Sequence, residues 1–166
     1  MSIFLISDLH LDHANIIKYC KRPFQSVVEM NVTLIWNWNK VVTNSDVVFH
    51  LGDFCHGHPD KWIDMLNGRI EFVKGNHDRQ LGVIRESLTL VHKDELFLLT
   101  HYPPFKPGEN WTIHGHTHNN DLVNYPMVNP VLKSMNVGVE VIGYKPILLD
   151  ELLKIRDTTI AKALSL

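Results

Sequence analysis

Apolar and polar positions follow two regimes along the chain. Short, nearly all-apolar runs at residues 3–7, 47–51 and 70–74 suit strands buried on both faces. A fourth strand is expected at 95–100, joined through a solvated turn at Lys93-Asp94-Glu95 to a run at 88–92, and a short one at 111–114. Helical spacing fits 14–20, 27–42 and 59–66; Thr43-Asn44-Ser45-Asp46 and Asn67-Gly68 act as stops for the last two. Trp36, Trp38 and Trp62 in these helices are expected in the core, His50 as a hydrogen-bonded core histidine, and Asp12 and Asn15 as a turn and helix cap. Residues 119–133 read as irregular. Residues 135–142 alternate as an antiparallel strand, 146–149 add a strand or lead into a helix at 150–156, and the tail 157–166 is only weakly helical.

The chain has 166 residues, 45% hydrophobic and 20% charged, an ordinary composition for one globular domain spanning 1–166. A formal net charge of −2 disfavours a nucleic-acid backbone as partner, which calls for a basic face. Cys20 and Cys55 form no CxxC pair and read as free thiols in a reducing compartment. The N-terminus has no basic region before its apolar run, and no apolar run approaches the roughly 20 residues of a membrane span. The expectation is a cytoplasmic protein without membrane contact. The outlier is histidine, present 11 times.

Those histidines gather with carboxylates where the apolar runs end. The segments are Asp8-Leu9-His10, Gly52-Asp53, Gly75-Asn76-His77-Asp78, Thr100-His101-Tyr102 and Gly115-His116-Thr117-His118. Open α/β sheets bind ligands beyond the carboxyl ends of their strands, so residues from 8 to 118 can converge there. Asp8 and His10, like His116 and His118, have i, i+2 spacing and can share one ion. Asp53 can use both oxygens and bridge two ions, while Asn76 and His101 complete the count. The supply suits two metal ions. Imidazole, carboxylate and amide favour Mn, with Fe, Zn or Ni as alternatives, over Ca or Mg. A dinuclear site without thiolates is first of all a site for phosphate-ester hydrolysis.

The ordered set D-x-H, G-D, G-N-H-D, H and G-H-x-H resembles the calcineurin-like metallophosphoesterase superfamily, in its small single-domain bacterial or phage form. The resemblance implies an α/β protein with a two-sheet β-sandwich core flanked by helices on both faces. It assigns Asp8, His10 and His118 to one metal, Asn76, His101 and His116 to a second, and Asp53 to both. It makes His77 the general acid of a hydrolase that attacks phosphate mono- or diesters with a hydroxide held between the ions. The stretch Gly52-Asp53-Phe54-Cys55-His56-Gly57 departs from the G-D-x-x-D-R-G of the protein-phosphatase branch. His56 replaces the carboxylate that orients the catalytic histidine, and Gly57 replaces a phosphate-binding arginine. That argues against a phosphoserine/threonine phosphatase and leaves the orientation of His77 and the role of Arg79 open. His13, His56, His58 and His114 read either as groups supporting the ligands or as ordinary loop residues. A small phosphate ester is the expected partner, approached through loops 54–60, 102–111 and 119–134. A non-catalytic scaffold of this fold and a nuclease are the alternatives.

Overall fold

The architecture is that of a computed structural model, which describes residues 1–82 and 85–165. Nine strands and four helices run in the order β1 (Ile3–Ile6), α1 (Ala14–Tyr19), α2 (Val27–Val41), β2 (Val47–His50), α3 (Asp60–Ile63), β3 (Arg69–Phe72), β4 (Ser87–His92), β5 (Glu95–Thr100), β6 (Trp111–His114), β7 (Val128–Asn129), β8 (Ser134–Asn136), β9 (Ile147–Leu148) and α4 (Leu149–Leu164). One sheet has the order β3-β2-β1-β9 and the other β4-β5-β6-β8-β7. In the first, β1, β2 and β3 are parallel and β9 is antiparallel. In the second, β5, β6 and β8 are parallel, with antiparallel strands at both edges. This is the mixed α/β, two-sheet architecture expected of a metallophosphoesterase fold.

The all-apolar runs became strands because both faces are covered. Leu5, Ile6, Val48, Phe97, Leu99 and Ile113 are fully or almost fully buried, and at ~25 cal/mol per Å² such side chains supply most of the drive for the sheets to meet. Helix α2 begins at Ser26, whose hydroxyl accepts the Glu29 N–H while the Gln25 N–H bonds the Glu29 carboxylate. It buries Met30, Leu34 and Trp38, and the Trp38 indole N–H donates to Asn67 O. The β4–β5 hairpin turns on Lys93 and Asp94, both at positive φ (51° and 63°), as a tight two-residue hairpin requires.

Four expectations need correction. Residues 135–142 are not a long antiparallel strand: β8 stops at Asn136 and runs parallel to β6, after which Gly138 and Gly143 turn the chain. The C-terminal segment is a firm helix through Leu164, because Leu149, Leu152, Leu153 and Arg156 are buried beneath it; Leu166 lies outside the described residues. Trp36 is 61% exposed, lying under the Lys40 ammonium, while Trp38 and Trp62 are core. Asp12 and Asn15 do not cap α1, whose cap residue is His13; the Asp12 carboxylate instead accepts the Asn31 amide and the Trp62 indole N–H.

Parallel pairing aims the strand ends at one place. Beyond β1 and β2 the two chains keep their register, with Asp8 N bonding Gly52 O, His10 N bonding Asp53 O and Leu11 N bonding Phe54 O, each at 3.0 Å. The two sheets are stitched at Ser7, which exchanges backbone bonds with Val137 and Val139. Gly115 N reaches His101 O at 3.1 Å. Five loops thereby share one rim.

Candidate metal centre

Glycines make the convergence sterically feasible. A Cβ on Gly75 would collide with the Asp53 carboxylate, and one on Gly115 with Ser7 and the Asp8 carboxylate. These glycines make room for the neighbouring acids. The Asp78 carboxylate completes the frame, accepting the N–H groups of Asp53 (2.7 Å), Phe54 (2.8 Å) and Gly75 (2.8 Å). It ties two of the donor loops together and points away from His77, and it forms no ion pair with Arg79 among the described residues.

The seven predicted donors meet. Asp8 is fully buried; its Oδ2 accepts the His116 N–H at 2.9 Å, while Oδ1 has no hydrogen-bond partner and lies 3.8 Å from His118 Nε2. The Asp53 Oδ2 lies 3.3 Å from His10 Nε2 and 3.6 Å from His101 Nε2, and its Oδ1 accepts the His77 N–H at 2.8 Å. Asn76 Oδ1 is 2.9 Å from His101 Nε2 and 3.1 Å from His116 Nδ1. Asp8, His10 and His118 could hold a metal ion, and so could Asp8, Asp53 and His101.

Proton bookkeeping tests whether a cation fits. His101 Nδ1 lies 2.8 Å from Leu51 O. A carbonyl only accepts, so Nδ1 carries a proton, and in the neutral ring Nε2 presents its lone pair to the site. That bare lone pair faces Asn76 Oδ1, His116 Nδ1 at 3.2 Å and the Asp53 carboxylate. Acceptors aimed at one another are unfavourable unless positive charge lies among them. His10 Nε2 and Asp8 Oδ1 are likewise buried without hydrogen-bond partners. Burial, with help from the nearby His118 and Arg22, pushes His10 far below the ordinary imidazole range and keeps it a neutral donor. Burial pushes the Asp8 carboxyl up against the lowering influence of His118 and His101. The residues fit divalent metal.

Two residues without a motif signal support this cluster. The Arg22 guanidinium, fully buried, donates to Asp8 O (2.7 Å), Leu9 O (2.8 Å) and the Glu140 carboxylate (2.8 Å). Glu140 in turn lies 3.1 Å from His118 Nδ1, so that Nδ1–H donates to it and Nε2 faces Asp8. Burial opposes charge on Glu140, yet the His118 bond and Arg22 hold its carboxyl below the usual range. Burial also opposes charge on His118, but Cys20, Glu140 and Asp8 together push it up to about 11. Cys20, His118 and Glu140 form a third group of metal-donor type, but Arg22 already neutralises Glu140 there. The one sequence signal for Glu140 is an acidic residue inside the apolar run Val137-Gly138-Val139-Glu140-Val141-Ile142, since a buried charge demands a partner.

Other histidines separate. His77 is exposed at the rim, its ring 5.3 Å from that of His10 and 6.1 Å from that of His13. His13 also lies 5.0 Å from His56. His114 is buried beneath the site, donating Nδ1–H to Gly115 O at 2.9 Å. His50 is buried as expected but not hydrogen-bonded; it sits between Phe54 and Phe72 with neither nitrogen partnered. Of the aromatics beside the segments, Phe54 is core, whereas Tyr102 and Phe105 are exposed.

Two sheets meet at an ordered set of aspartate, asparagine and histidine donors, a metallophosphoesterase-type fold with residue groups that could hold a metal ion. The chain belongs to one family with the uncharacterized protein MJ1445 of Methanocaldococcus jannaschii, to which it is 47% identical over 161 residues, covering 92% of this chain and 90% of that one. The crystal structure of AQ665, a protein of unknown function from Aquifex aeolicus, is similar with a TM-score of 0.75 at 28% identity, covering 93% of this chain and 98% of that one. YfcE, a phosphoesterase from E. coli, matches at a TM-score of 0.47 and 18% identity, over 89% of this chain and 81% of that one. No family model matches the chain.

Proposed function

We propose that the protein is a phosphoesterase dependent on two divalent ions, one held by Asp8, His10 and His118, the other by Asn76, His101 and His116, with Asp53 shared. The observation that carries this reading is the convergence of His101 Nε2, Asn76 Oδ1 and the Asp53 carboxylate, with His101 Nδ1 held by Leu51 O. When bound, such ions, with Mn preferred and Fe, Zn or Ni as alternatives, would clamp phosphoryl oxygens and acidify a water to near neutral pH. The chain's own residues do the rest. Asp8 and Asp53 balance the cationic charge, and Leu51 O and Glu140 set the tautomers of His101 and His118. His77, anchored through its N–H to Asp53 and exposed at the rim, protonates the departing oxygen. The rim is open at Asn76 and His77, which suits a small phosphate mono- or diester. Cys20 and Cys55 are free, no described helix is long and apolar enough to cross a membrane, and the cytoplasm is the compartment we infer.

Calorimetric titration of metal-stripped protein with Mn²⁺, followed by assays on p-nitrophenyl phosphate and bis-p-nitrophenyl phosphate, tests the proposal. Two bound ions with hydrolysis are expected. Absence of binding would sink the metal assignment, and binding without hydrolysis of any ester would favour the scaffold alternative.

A further inference from the structure

A groove of about 340 Å³ leaves the candidate centre on the side of His77 and is lined by Cys55, His56, Gly57, His77, Arg79 and Gln80. Three of the six carry imidazole or guanidinium groups and none carries a carboxylate. The acids near it are engaged elsewhere: Asp78 is held inward by three backbone N–H groups, and Asp12 is taken by Asn31 and Trp62. Arg79 is exposed and forms no ion pair or side-chain hydrogen bond among the described residues. The floor is open at Gly57, where an added Cβ would meet nothing within 4 Å. A guanidinium left unpaired beside two imidazoles is suited to a planar or tetrahedral oxyanion.

We propose that this groove receives the leaving half of the substrate and that Arg79, with His56, binds a second phosphate carried by that half. The inference rests on the phosphoesterase reading, because the departing oxygen lies beside His77 and whatever is bonded to it must extend past His77 into the groove. The substrate class is thereby narrowed to phosphate esters whose leaving alcohol is itself phosphorylated, such as alkanediol bisphosphates or short phosphodiester chains. The chemistry is ordinary hydrolysis. Water adds to phosphorus and gives up a proton to solvent, the P–O bond to the leaving alcohol breaks, that oxygen takes a proton from His77, and His77 regains one from solvent.

The test compares propyl phosphate with 1,3-propanediol bisphosphate, and a thymidine dinucleotide with the same dinucleotide phosphorylated at either end, using Mn²⁺-loaded protein. The phosphorylated partner is expected to show the higher kcat/KM, and for the dinucleotide only when the added phosphate sits on the half that product analysis identifies as leaving. Arg79→Gln should lower that preference on the order of tenfold. Arg85→Gln, which removes an equal charge from a side chain paired with Glu71, should leave the preference intact. Equal rates for both partners in the wild type, or an equal loss from both arginine variants, would overturn the proposal while leaving the hydrolase reading standing. A second arm needs no turnover: 3-hydroxypropyl phosphate titrated into metal-free protein should shift the imidazole NMR signals of His56 and His77, more weakly in Arg79→Gln. Absence of such shifts would overturn the proposal even if no ester is hydrolysed.

Discussion

The two halves of the candidate centre are built differently. Asp8, His10 and His118 are buried, and Arg22 and Glu140 hold them from behind. Asn76 is exposed and His116 is half-buried; their side chains approach each other and His101, and the His116 ring also lies 4.6 Å from that of Tyr102. One half is preorganised by a charged frame that exists before any ion arrives. The other is a set of acceptors facing one another, and it needs the cation to become favourable. The comparison predicts that metal affinity in the first half depends on Arg22 and Glu140 as well as on the donors themselves.

Breaking both halves together should have the largest effect. Asp53→Ala is expected to abolish metal binding and hydrolysis, because its Oδ2 approaches both His10 and His101; two ions still bound by calorimetry would refute the shared role. Next comes chemistry without binding. His77→Ala should lose ~10²–10⁴-fold in turnover while the ion count stays the same, and full turnover would remove it from the mechanism. Glu140→Ala tests the buried half alone, with Mn²⁺ affinity expected to fall about 10–100-fold, and Glu140→Gln, which keeps an acceptor for His118, should recover part of it. Asn76→Ala should act on the exposed half, lowering activity and the affinity for one ion of the pair; an equal loss of both ions would erase the distinction between the halves.

A separate effect, on stability rather than on the site, concerns pH. Burial pushes His50 and His114 down to about 4 from 6.5. The unfolded chain takes up protons at these rings near pH 6.5, whereas the folded chain resists until about 4. Their contribution is therefore fully present above 6.5 and is lost as pH falls through that window, about 3 kcal/mol per ring. Denaturant melts from pH 7 to 4 should show the slope, and His50→Leu should flatten it.

The sequence made some of this legible and hid the rest for physical reasons. The i, i+2 pairs and the glycines are local, so their convergence could be read from strand ends alone. Strand order could not, because β6 pairs with β8 and β1 with β9 across long gaps. The 135–142 run alternates like a strand, but Val137 and Val139 are spent on stitching Ser7 between sheets. The C-terminal helix looked weak because its polar positions outnumber the apolar stripe that anchors it. Arg22 lies 118 residues from Glu140, and only tertiary structure could join them. The role of Arg79 is open in the sequence, and only the fold shows that the adjacent Asp78 carboxylate is taken by backbone N–H groups.

Several donors occupy left-handed backbone: Asp8 (φ 62°), His10 (49°), Asp53 (59°), His116 (68°) and His118 (50°). Non-glycine residues rarely adopt it, and such positions concentrate at functional sites. Glycine at any of these places would relax the chain while deleting a donor. Laboratory evolution screened solely for heat resistance should therefore drift toward glycine here, yielding sturdier descendants stripped of donors, and the sites it erases first would mark where this protein gives up durability to hold its donor set.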